Sequence, residues 1–149
     1  MENYNKILVD AKIRPSIQRL AIYEFLCKNK IHPDVETIYS KLEKLYPTLS
    51  RTTVYNTLEL FAQNKIVQTI KIDDDKIRYD ADTSNHSHFK CTKCNMIFDL
   101  HTTEESNKYL DSCKDNLPKG FIINKFQTNI WGYCSECASK NVETKQAND

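Results

Sequence analysis

The chain has few of the residues and runs that mark several large classes of protein. Glycine occupies only two of the 149 positions, so the glycine-rich loops that bind phosphate groups in nucleotide enzymes are not supported. No run of about eighteen or more apolar residues occurs, so we expect no membrane-spanning helix. Residues 1–12 lack the apolar run of a secretory signal. These absences predict a cytoplasmic protein that does not bind membranes.

Charge of one sign is not in excess either. The chain has 21 basic and 20 acidic residues, a balance that does not indicate a general nucleic-acid-binding protein. Residues 11–71, however, carry ten Lys and Arg against five Asp and Glu. A dimer would present twice this positive surplus to one face of DNA. An ordinary solvated surface explains the charge equally well.

Local signals in the first half predict three helices and a hairpin. Ser16, Pro33-Asp34 and Ser50 each precede apolar residues at helical spacing, and Ser or Asp at such a position caps a helix. Residues 66–72 and 76–79 then suit two strands joined by a polar turn. Three helices followed by a hairpin predict a winged helix-turn-helix over residues 1–82.

The second half mixes strands with one helix. Strands are predicted at residues 88–90, 96–100 and 121–131, and a helix at 104–116. The polar residues 83–85 are predicted to be a hinge, residues 86–140 a second domain, and residues 141–149 a disordered tail.

The cysteines give the sharpest signal. In a cytoplasmic chain disulfides rarely persist, so Cys91-x-x-Cys94 and Cys134-x-x-Cys137 indicate metal ligands. Two such pairs supply a closed tetrahedral set of thiolates, which suits a structural Zn²⁺ ion. Two redox pairs or a coincidence are the alternative interpretations. The other two cysteines lie on apolar helical faces and are expected to be buried core residues.

Histidines and aspartates suggest a second site. If residues 86–88 are extended, His86 and His88 lie on the same face of a strand. The carboxylates of Asp80, Asp82 and Asp99 are available nearby in sequence. A nitrogen and oxygen site of this kind suits Fe²⁺, Mn²⁺ or Zn²⁺. His32 precedes Pro33, where capping of a helix is its ordinary role.

Enzyme motifs are not found. Zinc deaminases need His-x-Glu and Pro-Cys-x-x-Cys, but Ser87 separates the two histidines and Lys90 precedes Cys91. No HExxH motif or nucleophile elbow occurs. We therefore predict neither an enzyme nor a small-molecule substrate; a zinc enzyme or a purely structural zinc module is the alternative.

The motifs occur in the order of a known family. The chain resembles the ferric uptake regulator (Fur) family of bacterial metalloregulators over nearly its full length. The residues that carry the resemblance are Gln18-Arg19, His32-Pro33, Ser50-Arg51-Thr52-Thr53-Val54-Tyr55-Asn56-Thr57-Leu58, Arg78-Tyr79-Asp80, His86-x-His88 and both cysteine pairs. It implies an α+β fold: an N-terminal winged helix-turn-helix DNA-binding domain, then a small α/β dimerisation domain with a structural zinc site.

The resemblance also implies a regulatory ion, Fe²⁺ or Mn²⁺, that clamps the two domains in a DNA-competent closure. By position its ligands are His32, Asp80, His86, His88 and Asp99. Two aspartates at these positions, and Asn56 after Tyr55, make the pattern closest to the peroxide-response regulators (PerR) of the family. In these, peroxide oxidises a ligand histidine, here His32 or His86, and DNA is released. The alternative is a sensor of iron, manganese or zinc sufficiency that controls metal uptake.

The helix after Ser50 is the predicted recognition helix of a homodimeric repressor. Its apolar residues Val54, Leu58 and Phe61 are expected to face the core. The predicted contacts to double-stranded operator DNA are Arg14, Arg51, Thr52, Tyr55 and Asn56. Arginine can reach guanine or phosphate and asparagine suits adenine, although any one of these could be an ordinary surface residue. A two-fold dimer would prefer an inverted-repeat operator.

Overall fold

The protein is described here by a computed structural model that covers residues 3–101 and 103–146. The chain divides into two compact units, Met1–Ser84 and Asn85–Asp149. Both units combine helices with a small sheet. Among the described residues, no helix is both long enough and apolar enough to cross a lipid bilayer.

The first unit contains four helices and a two-stranded sheet. In chain order these are α1 (Tyr4–Asp10), α2 (Ile17–Lys28), α3 (Val35–Leu42), α4 (Arg51–Gln63), β1 (Gln68–Ile70) and β2 (Arg78–Asp80). Side-chain oxygens of Ser16, Asp34 and Ser50 accept backbone N–H bonds at the starts of α2, α3 and α4. The three predicted helix starts are confirmed, because these caps satisfy amides that the first turn leaves without a helical acceptor.

One apolar core holds the first unit together. The buried cluster joins all four helices to the sheet and includes Leu8, Ile22, Ile38, Leu58 and Phe61, each with 0% of its surface exposed. Burying side chains of this size stabilises a fold by about 1.5–3 kcal/mol each. The orientation of α4 is therefore fixed by its apolar stripe.

The hairpin is shorter than the sequence predicts. β1 and β2 pair antiparallel over three residues, with Gln68 opposite Asp80. At the start of β2, the guanidinium Nε of Arg78 lies 2.5 Å from Oδ2 of Asp73 in the connecting segment, and both side chains are largely buried. This ion pair joins the start of β2 to the connecting segment, and residues 73–77 form a turn that does not extend the ladder.

The second unit contains a three-stranded sheet and two helices. In chain order these are β3 (His86–Cys91), β4 (Ile97–His101), α5 (Glu104–Asp115), β5 (Asn129–Gly132) and α6 (Ser135–Gln146). The strand order is β4-β3-β5; β4 pairs antiparallel and β5 parallel to the central strand. The predicted strands at 88–90 and 96–100 and the predicted helix at 104–116 are thus found, with ends shifted by one or two residues.

One prediction for the second half is wrong. The strand predicted at 121–131 is reduced to β5, because Phe121 and Ile122 are 65% and 85% exposed and no partner strand pairs with them among the described residues. The segment predicted to be a disordered tail, residues 141–149, is described as far as Gln146, where α6 ends. Its sequence contains Lys, Glu and Gln, which are good helix formers. Residues 147–149 of that tail lie outside the described residues.

Candidate metal centres and nucleic-acid interface

The four predicted zinc ligands come from two tight turns of the second unit. Cys91 ends β3, and Cys94 follows in a turn where Asn95 adopts the left-handed conformation, with φ 60°. Cys134 immediately precedes α6, and Cys137 lies in the first turn of that helix. The amide of Thr92 donates to the carbonyl of Gly132 at 2.8 Å, which brings the two turns side by side.

The four sulfurs converge. All four Sγ atoms lie within 4.8 Å of one another, and Sγ of Cys94 lies 3.9 Å from Sγ of Cys134. Tetrahedral zinc with Zn–S bonds of about 2.3 Å requires S···S separations of about 3.8 Å. The cluster therefore fits a closed, structural zinc site.

The surroundings of the thiols are uneven. Backbone N–H groups, first that of Cys134 and then that of Cys94, lower the pKa of Cys91 to about 6; the first of these bonds is 3.4 Å long. Burial, followed by hydrogen bonds with the neighbouring thiols, raises the pKa of Cys137 to about 12. A bound cation removes this penalty, because metal ligands of this type are held as thiolates.

Two of the predicted regulatory ligands lie in the first unit. His32, only 2% exposed, has a left-handed backbone with φ 48° just before α3. Its Nε2 lies 3.6 Å from Oδ2 of Asp80, at the end of β2. The amide of Asp82 donates to the other oxygen of Asp80 at 2.8 Å, which fixes the carboxylate. The backbone of His32 also accepts from Arg78 at 3.4 Å.

The other three predicted ligands lie on one face of the second unit's sheet. His86 and His88 alternate along β3, with ring centroids 4.6 Å apart, and Asp99 is the register partner of His88 on β4. Oδ1 of Asp99 lies 3.3 Å from Nε2 of His86 and 3.8 Å from Nε2 of His88. Both histidines are buried, with 9% and 1% exposed. His101, on the same face, is exposed, and its ring is 6.3 Å from that of His86.

These nitrogen–oxygen distances fit shared metal ligands. Separations of 3.3–3.8 Å are mostly longer than good hydrogen bonds, which fall at about 2.7–3.2 Å. Two ligands each about 2.1 Å from one ion, at angles of roughly 100–130°, lie this far apart. Imidazole with carboxylate is a donor set that Fe²⁺, Mn²⁺ and Zn²⁺ accept.

The predicted DNA-contacting residues lie on the exposed side of the first unit. Val54, Leu58 and Phe61 are buried with 0% exposed, as predicted. The opposite face of α4 exposes Arg51, Thr52, Tyr55 and Asn56 near its N-terminal end, and Arg14 before α2 is also exposed. Arg14 and Asn56 line one cavity of about 480 Å³. The structure thus places all five on the surface of one unit.

One interaction at this face was not predicted from the sequence. Glu36, in the first turn of α3, accepts two hydrogen bonds from Arg51, and the ring of Tyr39 lies beneath the same guanidinium. The carboxylate pKa of Glu36 is lowered by the hydrogen bond from Arg51. No spacing rule connects residues on two different helices, so only opposite charge could have suggested this contact.

Known proteins resemble the chain over most of its length. The sequence model of the ferric uptake regulator family matches residues 10–121. The peroxide operon regulator of Bacillus subtilis is 33% identical over 135 residues, which are 89% of this chain and 90% of that protein.

Solved structures agree with this similarity. The peroxide stress regulator of Campylobacter jejuni superposes with a TM-score of 0.68 at 27% identity, covering 92% of this chain and all of that one. The ferric uptake regulator of Vibrio cholerae gives a TM-score of 0.71 at 24% identity, covering 89% of this chain and all of that one.

These similarities confirm the predicted α+β fold, with a winged helix-turn-helix followed by a small α/β domain that carries the four-cysteine site. They also confirm that the protein is a regulator and not an enzyme. The family match covers most of the chain, and the Bacillus protein extends it to nearly the whole length. The chain belongs to the ferric uptake regulator family.

Proposed function

We propose that the protein is a cytoplasmic, homodimeric repressor that binds inverted-repeat operator DNA and senses peroxide by oxidation of a metal-binding histidine. The observation that carries the proposal is that each unit holds buried histidine beside aspartate: His32 with Asp80, and His86 and His88 with Asp99. Relatives that are named peroxide regulators, at 33% and 27% identity, support the choice of signal.

A single regulatory ion, Fe²⁺ or Mn²⁺, would take ligands from both units. The first unit offers two ligands and the second offers three, and neither set alone is the five-ligand set that the family resemblance implies. If the ion needs ligands from both units, it binds more tightly to the arrangement of the units that supplies all of them. Binding of the ion therefore shifts the population of molecules toward that arrangement. That arrangement is the one proposed to bind the operator. Zinc in the four-cysteine site would hold the second unit together.

The chemistry of sensing concerns His32 and His86. Fe²⁺ held by these residues would supply the one-electron chemistry that activates hydrogen peroxide beside the two rings. In the overall reaction one ring carbon forms a bond to oxygen and its hydrogen moves to a ring nitrogen, while the ring gives up two electrons and hydrogen peroxide becomes one water molecule, so the histidine gains one oxygen atom. Both rings are buried, so an oxidant formed at the site would reach them more readily than one formed in bulk solution. The oxidised ring is a poorer ligand, and DNA is released.

Dimerisation would use the sheet of the second unit. β5 lies at the edge of that sheet, and Ile130, Trp131 and Tyr133 in and after it are 43%, 53% and 55% exposed. Phe98 and Leu100 on β4 are also exposed. An edge strand with apolar neighbours is a surface that a second chain can cover. A dimer would then present two recognition helices, one to each half-site of an inverted repeat.

Peptide mass spectrometry tests the proposal. Protein loaded with zinc and Fe²⁺ is treated with dilute hydrogen peroxide, beside a sample loaded with zinc and Mn²⁺. We expect one added oxygen on the peptide of His32 or His86 in the iron sample alone. His101 is the internal control, because it is exposed and close by but outside the ligand set. An equal gain on His101, or no iron-dependent gain, would reject peroxide sensing.

Operator binding separates the two kinds of sensor. If removal of the regulatory ion abolishes DNA binding but peroxide leaves the iron form active, the protein is a sensor of metal sufficiency. The variant Asp80→Ala, in the first unit, and Asp99→Ala, in the second, are each expected to weaken binding of the same single Mn²⁺ ion. Independent loss of two separate ions would reject the shared site.

A further inference from the structure

Arg51 is held in a defined plane at the start of α4. Its Nε donates to Oε2 of Glu36 at 2.6 Å, and its Nη2 donates to Oε1 at 2.7 Å. The guanidinium carbon lies 4.1 Å from the centre of the Tyr39 ring. Two parallel hydrogen bonds and a stacking partner together fix both the position and the rotation of the guanidinium.

The two hydrogen bonds use only one edge of the guanidinium. A guanidinium has a side edge, formed by Nε and one hydrogen of Nη2, and an end edge, formed by Nη1 and the other hydrogen of Nη2. Glu36 occupies the side edge. The end edge carries the pair of parallel donors that matches O6 and N7 of guanine in the major groove.

Stability does not account for this arrangement. The side chains of Arg51 and Glu36 are 60% and 61% exposed, and ion pairs this exposed contribute little to stability because water and salt screen them. The same exposure leaves the guanidinium accessible to a ligand. The pair is therefore better suited to orienting a side chain on the surface than to holding α3 against α4.

We propose that Arg51 reads a guanine in each operator half-site, and that Glu36 and Tyr39 are positioning residues for this contact. The inference rests on the proposed binding of DNA and deepens it. Arg51 is the first residue of α4, and the N-terminal residues of a recognition helix are those that meet base edges.

The charge of the pair favours a base over a phosphate. The carboxylate of Glu36 offsets the positive charge of Arg51, so the pair attracts a phosphate only weakly. Glu36 does not occupy the pair of donors on the end edge of the guanidinium. Recognition of guanine needs the two donors in a fixed plane, whereas a phosphate contact needs mainly net positive charge.

The experiment compares affinity with base discrimination. Full-length, zinc- and Mn²⁺-loaded wild-type protein selects an operator from a randomised DNA library. Binding is then measured by fluorescence anisotropy on that operator and on versions with each G·C pair replaced. Arg51→Lys keeps the positive charge but loses the pair of parallel hydrogen-bond donors. Glu36→Gln weakens the hold on Arg51, and Glu24→Gln, which breaks an exposed pair with Lys28 on α2, is the matched control.

We expect the wild type to prefer guanine at one position of each half-site. In Arg51→Lys that preference should fall by roughly tenfold or more, because a bidentate contact contributes about 1–3 kcal/mol of discrimination and 1.4 kcal/mol is tenfold. Glu36→Gln should lower the preference at the same position while binding to unrelated DNA stays equal or rises. Glu24→Gln should match the wild type. Thermal unfolding shows that each variant is folded.

Three results would overturn the inference. If Arg51→Lys keeps the base preference and Arg51→Ala weakens all sequences equally, Arg51 contacts a phosphate. If Glu36→Gln binds the operator more tightly with unchanged discrimination, Glu36 competes with DNA for Arg51. If the wild type selects no sequence and binds no DNA, the proposed function itself fails, and the inference with it.

Discussion

Removal of metal from the four-cysteine site is expected to unfold the second unit and leave the first folded. Among the side chains of the second unit whose burial is described, the buried apolar ones are Ile97, Cys91 and Cys137. Two of these are themselves candidate ligands. The first unit has its own apolar core and includes none of the four cysteines.

The magnitude follows from these contacts. Burial of Ile97 contributes about 1.5–3 kcal/mol, whereas a structural zinc ion contributes about 10–16 kcal/mol in small domains at neutral pH. A loss of about 10 kcal/mol is as large as the whole stability of an ordinary domain. Cys91→Ser, or a strong chelator, should therefore abolish folding of β3, β4 and β5, and with it the dimer.

Two readouts distinguish the units. Trp131 is the only tryptophan of the chain, and it lies in β5, so its emission reports on the second unit. Hydrogen exchange followed by mass spectrometry should show lost protection in the peptide of β3 and retained protection in α4. Cys113→Ser is the matched control, because Cys113 lies in the second unit outside the cluster. A zinc-free protein, verified by elemental analysis, with unchanged protection in β3 and a stable dimer would refute the reasoning.

Three other outcomes are expected for the first unit. Phe61→Ala, at a fully buried position, should lower the free energy of unfolding by about 3–5 kcal/mol in urea titrations, whereas Glu59→Ala on the exposed side should change it little. Asp34→Ala should cost about 1 kcal/mol because it removes the cap of α3; equal stability in the same titration would contradict the capping role. Partial burial raises the pKa of Asp34, but bonds from Thr37 and the charge of Lys76 outweigh it, so the pKa lies below 3.8. Above pH 3.8 the wild type should therefore have a larger free energy of unfolding than Asp34→Asn, and this difference should disappear as the pH falls through the lowered pKa of Asp34. A difference that grows on acidification would contradict a lowered pKa.

Much of the fold could be predicted because its signals are local. A cap such as Ser50 and an apolar stripe such as Val54 and Leu58 act within a few residues, and a helix forms or fails within the same distance. The Cys-x-x-Cys pairs are local in the same way, since each is one tight turn. Their convergence on one site was inferred from the preference of zinc for four thiolates, and the sulfur positions agree with it.

The errors arose where a segment's structure depends on distant partners. Residues 121–131 are apolar enough for a strand, but a strand also needs a neighbour, and the part of this segment that pairs with β3 among the described residues is 129–131, in β5. The contact of Arg51 with Glu36 joins two helices across a turn, and no periodicity in the sequence encodes it. Both features are set by tertiary packing, which local propensity does not determine.

The two units differ in what stabilises them, and this difference suits a sensor. The first unit is stabilised by an apolar core that includes Ile22, Leu58 and Phe61. Neither loss of a regulatory ion nor oxidation of His86 removes any contact of that core, so α4 should remain folded in both states. A signal at the histidines can then change DNA binding without unfolding the part that reads the sequence. If oxidation of His86 were found to melt α4 in hydrogen exchange, the switch would be an unfolding event, and the proposed shift between two folded arrangements would be wrong.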